Sequence, residues 1–146
     1  GQVSWQHELG ATGTCGNGRQ VGVHRPGRAV DGRTATAWVC RGRAQGMTLT
    51  VRLPRTVRIG QIGLIPGQLG PGRGAGAVSK DIRQVRWTIG TESFVQEIDG
   101  TSADRSVRDQ RIPLTKARTV KLEILQTSGR PRGQTAVSEV VVGTAD

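Results

Sequence analysis

Arginine is the residue type in this chain whose chemistry and placement are most informative. The 146 residues carry 21 Lys and Arg against 11 Asp and Glu, a formal net charge of +10. A guanidinium binds carboxylate or phosphate through two parallel hydrogen bonds. Seven arginines fall in segments without strand periodicity: Arg25, Arg28, Arg41, Arg43, Arg73, Arg130 and Arg132. Five of them are predicted ligand contacts: Arg25, Arg28, Arg73, Arg130 and Arg132. The alternative is a dispersed charge that keeps the protein soluble.

Catalytic chemistry has few suitable residues in this sequence. There is no Tyr, and the two histidines, His7 and His24, stand in no recognisable motif with a Ser or Cys nucleophile. The motifs GxSxG and HExxH are absent. The acids are scattered, although carboxylates distant in sequence can still meet in space. We therefore predict a protein that is not an enzyme.

Cys15 and Cys40 are the only two cysteines. An even, sparse pair flanked by turn residues favours one disulfide, and closing a loop of about 25 residues would stabilise the fold by roughly 3 kcal/mol. A zinc site would need further Cys or His ligands, and no CxxC or HxxxH spacing is present. Free thiols are the remaining alternative. A disulfide implies an oxidising compartment.

Short strands must position these residues. Residues 47–53 alternate apolar and polar side chains, as in a half-buried strand, and Pro54 is predicted to end that strand. Similar patterns predict strands at residues 57–65, 82–89, 94–98, 107–114, 117–126 and 137–142. In residues 82–89, Val85, Trp87 and Ile89 share one face only if Ile82 belongs to an entry turn, and a bulge is expected near Gln84. Residues 68–77, where Gly is nearly every second residue, are predicted to form a long loop.

About eight short strands without a helical period predict an all-β sandwich. Residues 1–10 are predicted to be an N-terminal arm or first strand, and residues 11–146 a single domain. Trp38 and Trp87 stand in strand-like alternation, so both are predicted to be core residues rather than sugar-stacking platforms. Phe94 is interpreted in the same way, which leaves Trp5 as the exposed candidate.

Several segments resemble the discoidin or coagulation-factor type C family, within the galactose-binding-like β-sandwiches. The resemblance rests on AVDG at residues 29–32 followed by Thr36-x-Trp38, GMTLTVRLP at residues 46–54, VRIGQIGLIPG at residues 57–67 and VSEVVV at residues 137–142. Trp38-Val39-Cys40 together with GLIPG at residues 63–67 is most similar to the actinobacterial branch related to NADase-type glycan-binding domains. Such domains form extracytoplasmic tails of envelope membrane proteins, including kinases and MviN-type lipid II flippases.

This resemblance implies a jelly-roll sandwich with a structural calcium ion. The matching positions are the Asp31 carboxylate, Thr36 and Glu139, with backbone carbonyls near Ala29 and Arg33 as further oxygen ligands. Arg33 stands where many relatives carry a second acid, which lowers the local negative charge. In the alternative interpretation, Asp31 caps its own turn and Glu139 pairs with Arg28 or Arg33.

The resemblance also implies a non-catalytic extracytoplasmic module that recognises a glycan or an anionic envelope polymer or lipid. Such a module would belong to a larger membrane protein, with its anchor outside this sequence. The alternative is a protein-interaction domain of a cell-envelope, peptidoglycan-related assembly, with no small ligand. Nucleic acid is an unexpected partner, because no aromatic residues are interleaved with the basic ones.

Overall fold

The computed structural model describes residues 6, 9–16, 25–33, 36–42, 44–67, 80–101, 104–128 and 133–145, and the backbone of residues 3–5. These residues form eight strands and one short 3₁₀ helix, Pro26–Ala29, and contain no α-helix. The strands are β1 Val3–Trp5, β2 Gly10–Thr14, β3 Trp38–Cys40, β4 Thr48–Pro66, β5 Asp81–Ile89, β6 Glu92–Glu97, β7 Arg108–Ser128 and β8 Thr135–Ala145. All pairings are antiparallel, and the predicted all-β, jelly-roll sandwich class is confirmed.

Two long strands, β4 and β7, each take part in both sheets of the sandwich. In one sheet the first part of β4 pairs with β2 and with the second part of β7, which continues to β5 and β6. In the other sheet the second part of β4 lies between β8 and the first part of β7, while β1 and β3 pair with β8. The register of β4 against β7 shifts between Arg52 and Val57, where the chain passes from one sheet to the other.

The prediction that Pro54 ends a strand is wrong, because β4 continues through this residue as it crosses between the sheets. Pro54 lies within β4, inside the interval where the register against β7 shifts. A proline cannot donate a ladder hydrogen bond, so an interruption of pairing is a place where a strand tolerates it. Pro113 likewise lies within the continuous strand β7, so the separately predicted strands at residues 107–114 and 117–126 are one strand.

The core lies between the sheets and includes both predicted tryptophans. Trp38 and Trp87 are fully buried, and Phe94 is partly buried against the same cluster. The indole N–H of Trp87 donates to Gln96 Oε1 at 2.8 Å. The predicted irregularity near Gln84 is also confirmed, because the register of β5 against β7 shifts on both sides of this residue. The expected entry turn at Ile82 is wrong: Ile82 is a buried residue of β5, and the register shift brings it to the core face.

The two ends of the sandwich differ in what joins the sheets. At one end the predicted disulfide is present: Cys15, which follows β2, is bonded to Cys40 of β3, with a Cα–Cα distance of 5.6 Å. At the same end Gly67 N–H donates to Ala136 O at 2.8 Å and Lys80 N–H donates to Gln134 O at 2.7 Å. We call this the loop end. At the other, the crossover end, residues 52–58 of β4 and 114–119 of β7 carry the chain between the sheets.

Candidate functional site

The segment at residues 25–33 is fixed to the sandwich by its apolar residues. The 3₁₀ helix Pro26–Ala29 buries Ala29, and the next residue, Val30, is also buried. Leu9 N–H donates to Val30 O at 3.2 Å, which holds the segment beside the entry to β2. Gly32 then adopts a φ of 76°, a left-handed conformation that suits a residue without Cβ. Asp31 is thereby placed at a defined point on the surface.

Oxygen atoms converge on the hydroxyl of Thr36. Its Oγ1 lies 2.5 Å from Asp31 Oδ2, 3.2 Å from Arg33 O and 3.4 Å from Arg28 O. One hydroxyl carries a single proton, so it can donate fully to only one of these three acceptors. Asp31 Oδ1 accepts the Arg33 N–H at 2.9 Å, so the carboxylate also caps its own turn. This surplus of acceptors is an environment that favours a cation.

Glu139 brings a second carboxylate to the same loop from β8. Its Oε1 accepts the Gly32 N–H at 3.2 Å, while its buried Oε2 has no hydrogen-bond partner among the described residues. Burial raises the pKa of Glu139 from 4.5 to about 7, the Gly32 hydrogen bond opposes this shift, and the negative charge of Asp31 adds to it. Within the described residues, Glu139 makes no ion pair with Arg28 or Arg33, the partners of the alternative interpretation.

The donor set fits a hard cation. Calcium prefers about six to eight oxygen ligands, and here two carboxylates, a hydroxyl and two backbone carbonyls approach one loop. Among the residues that the structure describes, no three His, Cys, Asp or Glu side chains gather as a metal site, so a cation here would have only two carboxylates and would depend on hydroxyl and carbonyl oxygens for its other protein ligands. The orphaned Glu139 Oε2 is the acceptor that a bound cation would satisfy.

A surface recess of about 620 Å³ opens beside this loop. Arg25, Arg28 and Arg33 line it together with Asp31 and Thr36. Arg25 and Arg33 are exposed and Arg28 is half-buried. Two of the predicted ligand contacts, Arg25 and Arg28, therefore lie in one depression, and Arg33 joins them. The three guanidinium groups could hold a carboxylate or phosphate group there.

The remaining predicted contacts, Arg73, Arg130 and Arg132, lie outside the described residues. The described residues that flank them do meet at the loop end. Gly67 precedes the stretch that contains Arg73 and Lys80 follows it, and both donate to residues 134–136, just after the stretch that contains Arg130 and Arg132. Lys80 Nζ also donates to Gly42 O at 2.8 Å.

Two arginines that the sequence analysis did not single out organise this end. Arg105 donates to Pro66 O at 3.0 Å and to Ser138 Oγ at 2.7 Å, and Ser138 Oγ donates to Thr36 O at 3.2 Å. Burial lowers the pKa of Arg105, Arg108 adds to that effect and Asp104 opposes it. The loop after β6 is thus connected through β4 and β8 to the backbone of Thr36.

Arg108 holds the loop itself. Its guanidinium donates to the carbonyls of Asp99, Thr101, Asp104 and Ser106, at distances of 2.7 to 3.0 Å. One signal was available in the sequence: Arg108 and Gln110 share the strand face of the buried Ile112. An arginine on that face points inward and must find acceptors there.

No family model matches the sequence, and no curated protein matches it. Solved structures do match. The family 32 carbohydrate-binding module of Clostridium perfringens NanJ, in complex with galactose, is similar with a TM-score of 0.66 and 20% identity over 93% of both chains. The F5/8 type C domain of a Bacteroides fragilis protein matches with a TM-score of 0.72 and 16% identity, covering 100% of this chain and 99% of that one.

A third similar structure is part of a much larger chain. The arabinofuranosyltransferase AftD from Mycobacteria matches with a TM-score of 0.70 and 16% identity, over 98% of this chain and 11% of that one. At these identities the likeness establishes the fold: this chain has the same β-sandwich as carbohydrate-binding modules and F5/8 type C domains.

Proposed function

We propose that this chain is a non-catalytic glycan-binding module that binds its ligand in the arginine-lined recess beside the Asp31 loop. The observation that carries the proposal is the recess lined by Arg25, Arg28 and Arg33 beside the Asp31 loop. The fold supports it, because the NanJ module of the same fold was solved in complex with galactose. Arg73, Arg130 and Arg132 stay predicted ligand contacts.

The chemistry of the recess favours an acidic sugar over a neutral one. Stacking on an aromatic ring is unsupported among the described side chains, since Trp38 and Trp87 are buried and Phe94 packs on the core. The side chain of Trp5, the exposed candidate, lies outside the described ones. Guanidinium groups instead offer paired hydrogen bonds to a carboxylate. A glycan that carries uronic acid residues matches this recess.

A structural calcium ion belongs to the proposal. Asp31, Thr36 and Glu139 would hold it, with the carbonyls of Arg28 and Arg33. A bound divalent cation would neutralise the two carboxylates and keep the loop in the conformation that exposes the arginines. The residues of this chain would still make the contacts to the glycan.

We also propose a cellular location for the module and the kind of protein that contains it. We place it outside the cytoplasm as part of a larger envelope protein, since a disulfide joins its sheets and AftD contains a similar fold within a much longer chain. The closer kinship to NADase-type domains and to MviN-type proteins stays a prediction. No helix among the described residues has the length and apolar character of a membrane-spanning segment.

The scaffolding alternative has less support from the surface. The exposed large apolar side chains of the described residues are Val95, Val107 and Leu114. Val95 lies on β6, Val107 in the connection before β7, and Leu114 at the crossover end. These positions belong to different parts of the fold and do not indicate one apolar docking patch.

Calorimetric titration with trigalacturonate and with neutral galactotriose tests the proposal. We expect trigalacturonate to bind more tightly, with an affinity that falls as salt rises from about 20 to about 200 mM, because exposed charge pairs are screened. The double variant Arg25→Gln/Arg33→Gln should bind it at least tenfold more weakly, because it loses two guanidinium groups.

Arg86→Gln/Arg111→Gln provides the matched control, since it removes the same charge from outside the recess. It should stay within twofold of the unmodified protein. Equal binding by both double variants, with melting temperatures unchanged, would place the site elsewhere and favour the scaffolding alternative.

A further inference from the structure

The crossover end carries a concentration of unpaired positive charge. Five cations at the two crossovers are exposed: Arg52, Arg55, Arg58, Lys116 and Arg118. Within the described residues none of the five forms an ion pair, whereas Arg83, Arg86 and Arg108 each have an acidic partner. Residues 52–58 and 114–119 contain no Asp or Glu. This charge is therefore available to an external anion.

One pair among these cations opposes folding rather than aiding it. Arg58 on β4 lies directly opposite Lys116 on β7. Like charges in directly opposed cross-strand positions are destabilising. The guanidinium of Arg118 is held in place, because its Nε donates to Leu53 O at 3.1 Å. A folded protein gains no stability from the Arg58–Lys116 pair, which points to a ligand as the reason for keeping it.

The cations form a band that passes over the end of the sandwich. Arg52 lies on the outer face of one sheet, because its neighbours Val51 and Leu53 are core residues. Arg58 and Lys116 lie on the outer face of the other sheet, where Ile59 and Ala117 point inward. Arg55 lies between these two groups. Since packed sheets are about 10 Å apart, the band curves around an edge instead of covering a plane.

The curvature of the band favours a flexible polymer over a flat membrane surface as its partner. A flat bilayer would meet the end of the sandwich but not both of its outer faces. A flexible, elongated polyanion can follow the band from one face to the other. Nucleic acid would also gain from base stacking, and the described residues of the band include no aromatic side chain.

We infer that the crossover end is a second binding site, which takes an anionic polysaccharide chain with regularly repeated carboxylate or phosphate groups. None of its five cations lines the recess beside the Asp31 loop. It would allow one module to hold a short acidic segment in the recess and a longer polymer across the crossover end.

The test uses long-chain polygalacturonate as the probe, with excess trigalacturonate present to fill the recess beside the Asp31 loop. The triple variant Arg55→Gln/Arg58→Gln/Lys116→Gln should lose at least tenfold in affinity at about 50 mM salt. Each cation that contacts a polyanion contributes roughly 0.7–0.9 to the slope of log affinity against log salt, so the slope should fall by about two. Binding of trigalacturonate alone should stay within twofold, which separates this site from the recess beside the Asp31 loop.

Arg41→Gln/Arg86→Gln/Arg111→Gln is the control with the same loss of charge, and it should bind polygalacturonate within twofold of the unmodified protein. Equal losses in both triple variants would overturn the proposal, because net charge alone would then explain binding. Stronger binding to phosphatidylglycerol vesicles or to an oligonucleotide, at equal anion concentration and salt, would also overturn it. The melting temperature of the crossover variant should stay the same or rise, since it relieves the repulsion at Arg58.

Discussion

The loop end and the crossover end use charge in opposite ways. At the loop end Arg105, Arg108 and Lys80 have hydrogen-bond partners within the protein, mostly backbone carbonyls, and Glu139 is buried. At the crossover end the exposed arginines face solvent, and the described residues give them no acidic partner. The net charge of +10 therefore combines cations in different settings. Lys80, which is buried, and Arg105 and Arg108, which are half-buried, bind groups of the protein, whereas the exposed cations of the crossover end have no acidic partner among the described residues.

The largest predicted effect is a loss of stability when Trp38 is substituted, and it tests the contrast between the two ends. Trp38→Ala should lower the free energy of unfolding by about 3–5 kcal/mol, because it removes a fully buried aromatic side chain from the core at the loop end. Denaturant unfolding followed by circular dichroism measures the change. Leu114→Ala at the crossover end provides the control: Leu114 is 59% exposed, and its loss should cost less than about 0.5 kcal/mol. Similar values for both substitutions would contradict the contrast.

The second prediction compares one arginine from each end. Arg105→Met should cost about 1–3 kcal/mol, because Pro66 O loses its donor in a half-buried position. Arg55→Met should change stability by less than about 0.5 kcal/mol, since Arg55 is exposed. Thermal and denaturant unfolding of both variants provide the measurement. If Arg55→Met were the more damaging substitution, the division into fold-maintaining and ligand-binding cations would be wrong.

The smallest predicted effect is a dependence of stability on pH. The pKa of Glu139 rises from 4.5 to about 7 in the folded protein. The folded state therefore binds this proton more tightly than the unfolded state, so stability is full below about pH 4.5 and falls as pH rises towards 7. Without divalent cations we expect a loss of roughly 1–2 kcal/mol between about pH 5 and pH 8, after allowance for solvent screening.

Denaturant unfolding at a series of pH values in EDTA measures this loss, and Glu139→Gln should lack that part of it. If calcium binds the proposed oxygen cluster, added CaCl₂ should restore stability at about pH 8, since a ligand that binds only the folded state stabilises it. If Glu139→Gln and the unmodified protein showed the same dependence of stability on pH, the role assigned to Glu139 would be wrong. If millimolar CaCl₂ did not raise stability at about pH 8, the proposed calcium site would be wrong.

Local patterns predicted much of the fold correctly. The alternation in residues 47–53 gave the buried face of a strand, and the imperfect period at residues 82–89 gave the irregularity near Gln84. The same patterns did not show that β4 and β7 continue through their prolines. Whether Pro54 ends a strand or lies in a crossover depends on which strands lie beside it, and that is a property of the tertiary structure.

The candidate site was predictable only in part. The resemblance supplied Asp31, Thr36 and Glu139, and the structure places the Thr36 hydroxyl against Asp31 and the Glu139 carboxylate against Gly32. The carbonyl of Arg33 lies 3.2 Å from the Thr36 hydroxyl, in keeping with the expected backbone ligand, while the Arg33 side chain, which replaces the second acid of many relatives, lines the recess. Neither Arg105 nor the unpaired charge of the crossover end could be recognised from sequence, because spacing does not show which arginines meet carbonyls and which meet water.

The continuity of β4 and β7 through both sheets has a consequence for how the protein comes apart. A sandwich whose sheets are joined only by loops could lose one sheet while the other persists. Here two strands belong to both sheets, so melting either sheet removes the strand neighbours of the other. The disulfide ties the opposite end. Unfolding should therefore be all-or-none, and the most protected amides of the two sheets should exchange with solvent through the same global opening.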